Sequence, residues 1–180
     1  MILLGCKPKG RNTEQHDILF VAGRNLSDIK KDILAFWPEG GEKLHIDAWR
    51  EVTQVDGYNV SVRNRTNGTD REKGQRLFFV NLGGYKREEF EEFHYKLLIV
   101  AENKAGAIQK AKQTAFYKHA GFTGAESHID DKYGIDVDDI DDIEDLLSDE
   151  WKAAFELHLE KNEQKDDEIH LGYFKLSRIK

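Results

Sequence analysis

The chain of 180 residues sets 27 Lys and Arg against 34 Asp and Glu, a net charge of −7 that repels phosphate backbones and argues against nucleic acid as a partner. No apolar run approaches the roughly 18 residues a membrane span needs, and the Met1-Ile2-Leu3-Leu4 start lacks a basic leader, so a cytoplasmic protein without membrane contact is expected. Cys6 is the single cysteine, which excludes an internal disulfide and agrees with a reducing compartment.

The charge is uneven. Residues 1–74 hold 12 basic against 11 acidic side chains, +1, whereas residues 75–180 hold 15 against 23, −8. The local exception, Arg63, Arg65, Arg71, Lys73 and Arg76, falls in a Gly- and Asn-containing stretch and reads as a solvated linker. Hydrophobic residues make up 39% of the chain, enough for a core.

In chain order, residues 2–6 form a short apolar strand, and Pro8 and Gly10 make the following segment a loop. Residues 16–22 predict a second strand, with Ile18 and Phe20 on one face and Leu19 and Val21 on the other, a pattern expected at the centre of a sheet. Asn25 is placed to cap a helix whose buried stripe is Leu26, Ile29, Ile33 and Trp37, stopped by Pro38 and Gly40-Gly41. Two further strands, 43–55 and 57–62, flank an Asp56-Gly57 turn.

The plan then returns. Leu4-Gly5, Glu14-Gln15-His16 and Asn25 reappear 78 positions later as Leu82-Gly83, Glu92-Phe93-His94 and Asn103, every match at one offset. Strands are predicted at 76–82 and 93–101, with Asn103 capping a helix that buries Ala107, Ile108, Ala111 and Ala115 and ends near Ala120-Gly121. His128-Ile129-Asp130 pairs with His45-Ile46-Asp47 at an offset of 83, and Tyr133-Gly134-Ile135-Asp136-Val137 with Asp56-Gly57-Tyr58-Asn59-Val60. Beyond it, residues 138–147 carry Ile140, Ile143, Leu146 and Leu147 at helical intervals. Phe155, Leu157 and Leu159, then Ile169, Leu171 and Tyr173, alternate as in a hairpin with a mobile polar loop over 162–167.

The chemistry-bearing pattern is histidine two positions from a carboxylate: Glu14/His16, His45/Asp47, Glu92/His94 and His128/Asp130. On a strand this spacing puts both side chains on one face, where they bind a divalent metal or let the carboxylate orient a general base. The competing reading, preferred at this point, is a structural hydrogen-bond network between strands. Gly83-Gly84 belongs to no phosphate-binding fingerprint and reads as a bulge or bend. Cys6 reads as a small buried thiol. The acidic run Asp136, Asp138, Asp139, Asp141, Asp142, Glu144 and Asp145 lacks EF-hand spacing and reads as a charged first helical turn.

The segments Gly5-Cys6-Lys7-Pro8-Lys9-Gly10-Arg11, Lys43-Leu44-His45-Ile46-Asp47-Ala48-Trp49, Asn81-Leu82-Gly83-Gly84-Tyr85 and His170-Leu171-Gly172-Tyr173-Phe174 resemble a bacterial family known only as domain of unknown function 1543. Glu14-Gln15-His16-Asp17, Glu92-Phe93-His94-Tyr95 and the stretch from His128 to Gly134 resemble it too. The resemblance implies one or two copies of the domain, here two in tandem, and carries no activity, cofactor or catalytic residue.

The expected fold is therefore α+β: two tandem β-β-α-β-β units, 1–74 and 75–140, each a helix across a mixed sheet in the manner of β-grasp or ferredoxin-like rolls. A C-terminal extension, 141–180, adds a helix and a β-hairpin packed on the repeats. The expected function is a non-enzymatic module binding a small molecule or protein in the cleft between the units, compatible with a homodimer and without a cofactor or resident metal. The alternative is a metal-assisted hydrolase with His16, His45, His94 and His128 as ligands and Glu14, Asp47, Glu92 or Asp130 as ligand or base.

Overall fold

Ile2, Leu4 and Cys6 alternate with Leu3 and Gly5, and the computed structural model, which describes residues 1–65, 74–85, 88–114, 136–162, 164–165 and 167–179, turns this segment into strand β1 (Ile2–Cys6). Its buried face is Ile2, Leu4 and Cys6. Antiparallel β2 (Gln15–Leu19) and β3 (His45–Trp49) flank it, and β10 (His170–Lys175) pairs with β3, giving the order β10-β3-β1-β2.

Helix α1 (Lys30–Phe36) covers that buried face through Ile29 and Ile33, with Leu26 and Trp37 packed at the margin. Burying a side chain such as Ile33 stabilises by about 1.5–3 kcal/mol. Asn25 Oδ1 accepts the backbone N–H groups of Ser27 and Asp28, capping the turn that leads into α1 rather than the helix itself. A 3₁₀ segment, Pro38–Lys43, follows; Gly41 there has φ 50°, a conformation that favours glycine.

The strand expected over 43–55 ends at Trp49, and the chain crosses to a second sheet. There β4 (Gln54–Val55) and β5 (Tyr58–Asn64) form a hairpin whose two central residues, Asp56 and Gly57, both have positive φ. Asp56 Oδ2 also accepts the N–H of Val100 at 2.9 Å, tying this turn to the next sheet. β9 (Phe155–Lys161) pairs along β5 and completes the order β4-β5-β9.

The third sheet, β7-β6-β8, consists of β6 (Arg76–Tyr85), β7 (Glu92–Ala101) and β8 (Asp136–Asp142). Helix α2 (Lys104–Ala111) lies on it through Ala107 and Ala111, whose small side chains meet the core formed with Phe78, Val80, Leu82 and Ile99. Asn103 caps this helix, accepting from the N–H of Gly106 at 2.9 Å. Between the two helix-covered sheets lies a further core where Phe20 and Phe79 meet edge to face among Val55, Val60, Leu77 and Leu147.

Several expectations are corrected. Every pairing between described strands is antiparallel, so they form no mixed sheet. β2 is an edge strand: Ile18 and Phe20 serve the central core while Leu19 serves the first, so its two-sided apolarity reflects two cores rather than two flanking strands. Residues 138–142 are strand, not helix, and only Ile143–Leu146 (α3) and Asp149–Ala154 (α4) are helical there.

The physical reason lies in the register. Leu82 pairs with Val137 and Asn81 with Asp139, leaving Asp138 as an extra residue; Val137 and Ile140, three apart, then both reach the same core. The bulge breaks the strand alternation, and the helical intervals from Ile140 onward belong in fact to a strand end followed by a short helix. Since Val137 lies beside β6 as Ile46 lies beside β1, β8 stands where β3 stands and not where β5 does.

The alternating C-terminal segments are both strands, but they pair in different sheets and form no hairpin. Nor is all of the polar connection loose: Asp167 accepts the backbone N–H groups of Thr53 and Gln54 and the Thr53 hydroxyl, and lies 3.7 Å from Arg50 Nε. Ala115, Ala120-Gly121, His128, Asp130 and the stretch from Tyr133 to Ile135 lie outside the described residues.

Candidate metal centre

Residues directly opposite one another in an antiparallel pair share a face. Gly5 lies opposite His16 on β2 and His45 on β3, so two imidazoles flank a residue with no side chain. Glu14, two before His16, joins that face. So does Asp47, through a register shift: Leu4 pairs with Ile46 and Leu3 with Ala48, leaving Asp47 as the bulged residue.

The four side chains converge over Gly5. His45 Nε2 lies 3.1 Å from Glu14 Oε1 and 3.4 Å from Asp47 Oδ1. His16 Nε2 lies 3.4 Å from Glu14 Oε1 and 3.4 Å from Asp47 Oδ2. Glu14, His45 and Asp47 each offer a ligand atom within 4.8 Å of the others. Glycine is required for space: a Cβ at position 5 would stand 2.3 Å from Asp47 Oδ2 and 2.7 Å from His45 Nε2.

The hydrogen bonding defines the chemistry. His45 is buried, and its Nδ1 lies 2.9 Å from the Lys43 carbonyl. A carbonyl only accepts, so Nδ1 carries the proton and donates it. In the neutral ring Nε2 is then a lone pair facing two carboxylate oxygens, acceptor against acceptors. A proton shared across the contact reconciles them, and so does a metal ion seated between them. An Nδ1–H bonded to a backbone carbonyl is also how ligating histidines are commonly oriented.

A second sign of the same kind is Asp47 Oδ2, a buried oxygen that among the described residues accepts no hydrogen bond, with His16 Nε2 near it at 3.4 Å. Leaving such an acceptor unsatisfied costs about 1–3 kcal/mol. Above the cluster, the ring of Tyr173 on β10 tilts over His45 with centroids 4.3 Å apart. Glu14 and His16 are 44% and 47% exposed, which opens the other side to solvent.

A related arrangement lies on the third sheet. Gly83 is opposite His94, and the extra residue of the bulge is Asp138. His94 Nε2 lies 3.3 Å from Asp138 Oδ2 and 4.0 Å from Glu92 Oε2, and a Cβ at Gly83 would stand 2.3 Å from that same Asp138 oxygen. Asp136 holds the register position opposite Gly83 that His45 holds opposite Gly5.

Of the eight residues proposed from sequence, Glu14, His16, His45 and Asp47 therefore meet in one cluster. Glu92 and His94 meet Asp138 in another, and His128 and Asp130 fall outside the described residues. Sequence reading missed Asp138 because its acidic stretch was assigned to a helix. The available signal was Val137-Asp138, an echo of Ile46-Asp47. Tyr173 was seen only as one alternating apolar residue.

The remaining candidates have structural roles. Cys6 is buried on the opposite face; burial first, then Glu14 and Glu39, push its thiol above the ordinary range. In the basic stretch Arg65 pairs with Glu144, and Arg76 pairs with buried Asp142. Gly83-Gly84 lies inside β6 opposite the bulged strand. Among the described residues no helix is long and apolar enough to cross a membrane.

Comparison with known proteins matches the first cluster's stretch. A family model described as Domain of Unknown Function (DUF1543) matches residues 11–62, which contain Glu14, His16, His45 and Asp47. The match is a single copy, where two in tandem were expected. Among solved structures, a protein Il1583 from Idiomarina loihiensis is similar over 97% of this chain and 94% of its own, with a TM-score of 0.60 and 24% identity, a likeness of fold. No curated protein matches.

Proposed function

We propose that the protein binds a divalent transition-metal ion over Gly5, with His45, His16, Glu14 and Asp47 as its ligands. The observation that carries this reading is the acceptor-to-acceptor approach of His45 Nε2 to Glu14 and Asp47 while its Nδ1 is committed to Lys43. The undonated Asp47 Oδ2 supports this reading over a purely structural hydrogen-bond network. A set of two imidazoles and two carboxylates suits zinc and its neighbours in the first transition row.

All four ligands approach from the sheet, so the opposite side of the ion is left for water or an outside ligand. The primary role is therefore a metal-dependent binding module, with the ion itself the point of capture. The second reading, metal-assisted hydrolysis, is favoured by the exposure of Glu14, which can serve as base toward a water on the ion.

The test is calorimetric titration of untagged protein with zinc chloride, followed by thermal unfolding. At a hundredfold excess over Kd, binding adds about 2.7 kcal/mol, a rise in Tm of about 5–10 °C for a chain of this size. His45→Ala and Asp47→Asn each remove that rise. Absence of binding heat together with an unchanged Tm overturns the reading and leaves His45 as a structural link between two carboxylates. Turnover of simple phosphate or carboxylate esters by the zinc-loaded protein, lost in Glu14→Gln, would favour hydrolysis.

A further inference from the structure

We propose that Glu92, His94 and Asp138 form a second cation site, with a harder donor set than the first and a weaker preference for zinc over manganese. The argument begins with the backbone. Between Leu82 and Asn81 the register of β8 slips by one residue, just as β3 slips between Leu4 and Leu3, and in each case the extra residue is an aspartate. In each case its carboxylate lies over a glycine where a Cβ would stand 2.3 Å from one of its oxygens. A histidine on the neighbouring strand lies opposite that glycine, with a glutamate two residues before it.

A bulge of this kind re-aims one side chain and interrupts the ladder, and bulges are frequent beside functional sites. Its appearance twice, with the same three residue types around the same glycine, is more than an exposed group of acids. The ligand atoms of Glu92, His94 and Asp138 lie within 4.8 Å of one another, as those of Glu14, His45 and Asp47 do at the first site.

The two sites differ in donor set. The first has two imidazoles. Among the described residues the second has one, because Asp136 holds the register position of His45. Fewer nitrogen donors and a larger share of carboxylate shift a site toward hard ions such as manganese. Exposure of the shared trio is similar, 37%, 40% and 28% for His94, Glu92 and Asp138 against 47%, 44% and 23% for His16, Glu14 and Asp47; what the second site lacks among the described residues is a buried histidine such as His45. The second site is accordingly the weaker one.

Because this rests on the chemistry proposed for the first site, the test separates them. Manganese is titrated, with free ion followed by electron paramagnetic resonance, into full-length protein and into the double variant His45→Ala/Asp47→Asn. The expected result is that the double variant still binds one manganese ion, and that adding Asp138→Asn or His94→Ala lowers its affinity at least tenfold. Competition with zinc is expected to displace this ion at least tenfold less readily than the ion at the first site.

If the double variant binds no manganese, or binds it equally after Asp138→Asn and His94→Ala, the inference is overturned while the first site stands. If the wild type binds a single manganese that is lost in Asp138→Asn and retained in the double variant, and zinc finds no further site in the wild type, the inference holds and the proposed function fails. Asp138→Asn keeps the volume of the side chain, and circular dichroism of each variant separates lost binding from lost fold.

Discussion

Over Gly5, two imidazoles and two carboxylates include the buried His45 under the Tyr173 ring of β10, while over Gly83, on the central strand of a three-stranded sheet, one imidazole and two carboxylates meet. The backbone device is shared, a glycine opposite a histidine and a bulged aspartate, so the difference lies in what surrounds it. The first sheet has a fourth strand that covers His45, itself anchored by Lys43, while Glu14 and His16 stay as open as Glu92 and His94. This teaches that one register can carry both a site anchored on a buried histidine and a site of half-exposed ligands.

The sharpest way to break the comparison is to fill the glycines. Gly5→Ala drives a methyl group into Asp47 and His45, which are held in place, and zinc affinity at the first site should fall more than a hundredfold by calorimetry. Gly83→Ala meets the Asp138 carboxylate alone, and the loss at the second site should be nearer tenfold. Equal losses at the two sites would show that the buried His45 is irrelevant.

Next comes the edge of the third sheet. Asp142 is 3% exposed, accepts the N–H of Glu144 at the start of α3 and pairs with Arg76. Asp142→Ala removes a cap and a buried ion-pair partner, and urea denaturation should show a loss of about 3 kcal/mol. Binding over Gly5 should remain intact in the folded fraction.

A smaller effect is expected at Asp167, which holds the segment entering β10 against Thr53 and Gln54. Burial pushes its carboxyl up, but the bonds from the Thr53 hydroxyl and the Gln54 and Thr53 N–H groups, with Arg50 nearby, outweigh this and hold it below the ordinary value. A depressed folded value means the stabilisation is complete above the ordinary carboxylate range, about pH 4, and is lost as pH falls through the folded value. Asp167→Asn should cost about 1–2 kcal/mol at neutral pH and flatten the acid limb of the stability profile. It should weaken the first site slightly and the second not at all.

The smallest effect tests the shelter itself. Tyr173→Leu keeps an apolar cover but removes the ring over His45, so zinc affinity at the first site should fall about threefold, with Tyr173→Phe unchanged. Each 1.4 kcal/mol is a factor of ten, so this is a difference of under 1 kcal/mol.

How much of this was legible in the sequence depends on whether the signal was local. Ile2, Leu4 and Cys6, the Ile29 and Ile33 stripe, the Asp56-Gly57 turn and the Asn103 cap were readable because neighbouring residues decide them. Glu14/His16 and His45/Asp47 were readable as pairs, but their meeting over Gly5 depends on strand register. Asp138 was hidden because Ile140, Ile143, Leu146 and Leu147 fall at helical intervals, while a bulge breaks the alternation that would mark Val137 and Ile140 as one strand. The separation of β9 from β10 was hidden as well, since alternation reports a strand and says nothing of its partner. Asp167 looked like loop because its three bonds reach back more than a hundred positions.

The most direct test is anomalous diffraction from a crystal of the zinc-loaded protein. The account predicts a zinc peak over Gly5, about 2.0–2.2 Å from His45 Nε2 and from carboxylate oxygens of Glu14 and Asp47, with the His45 Nδ1 bond to Lys43 retained. A zinc-free cluster in that crystal, with His45 still between Glu14 and Asp47 at unchanged distances, would contradict it.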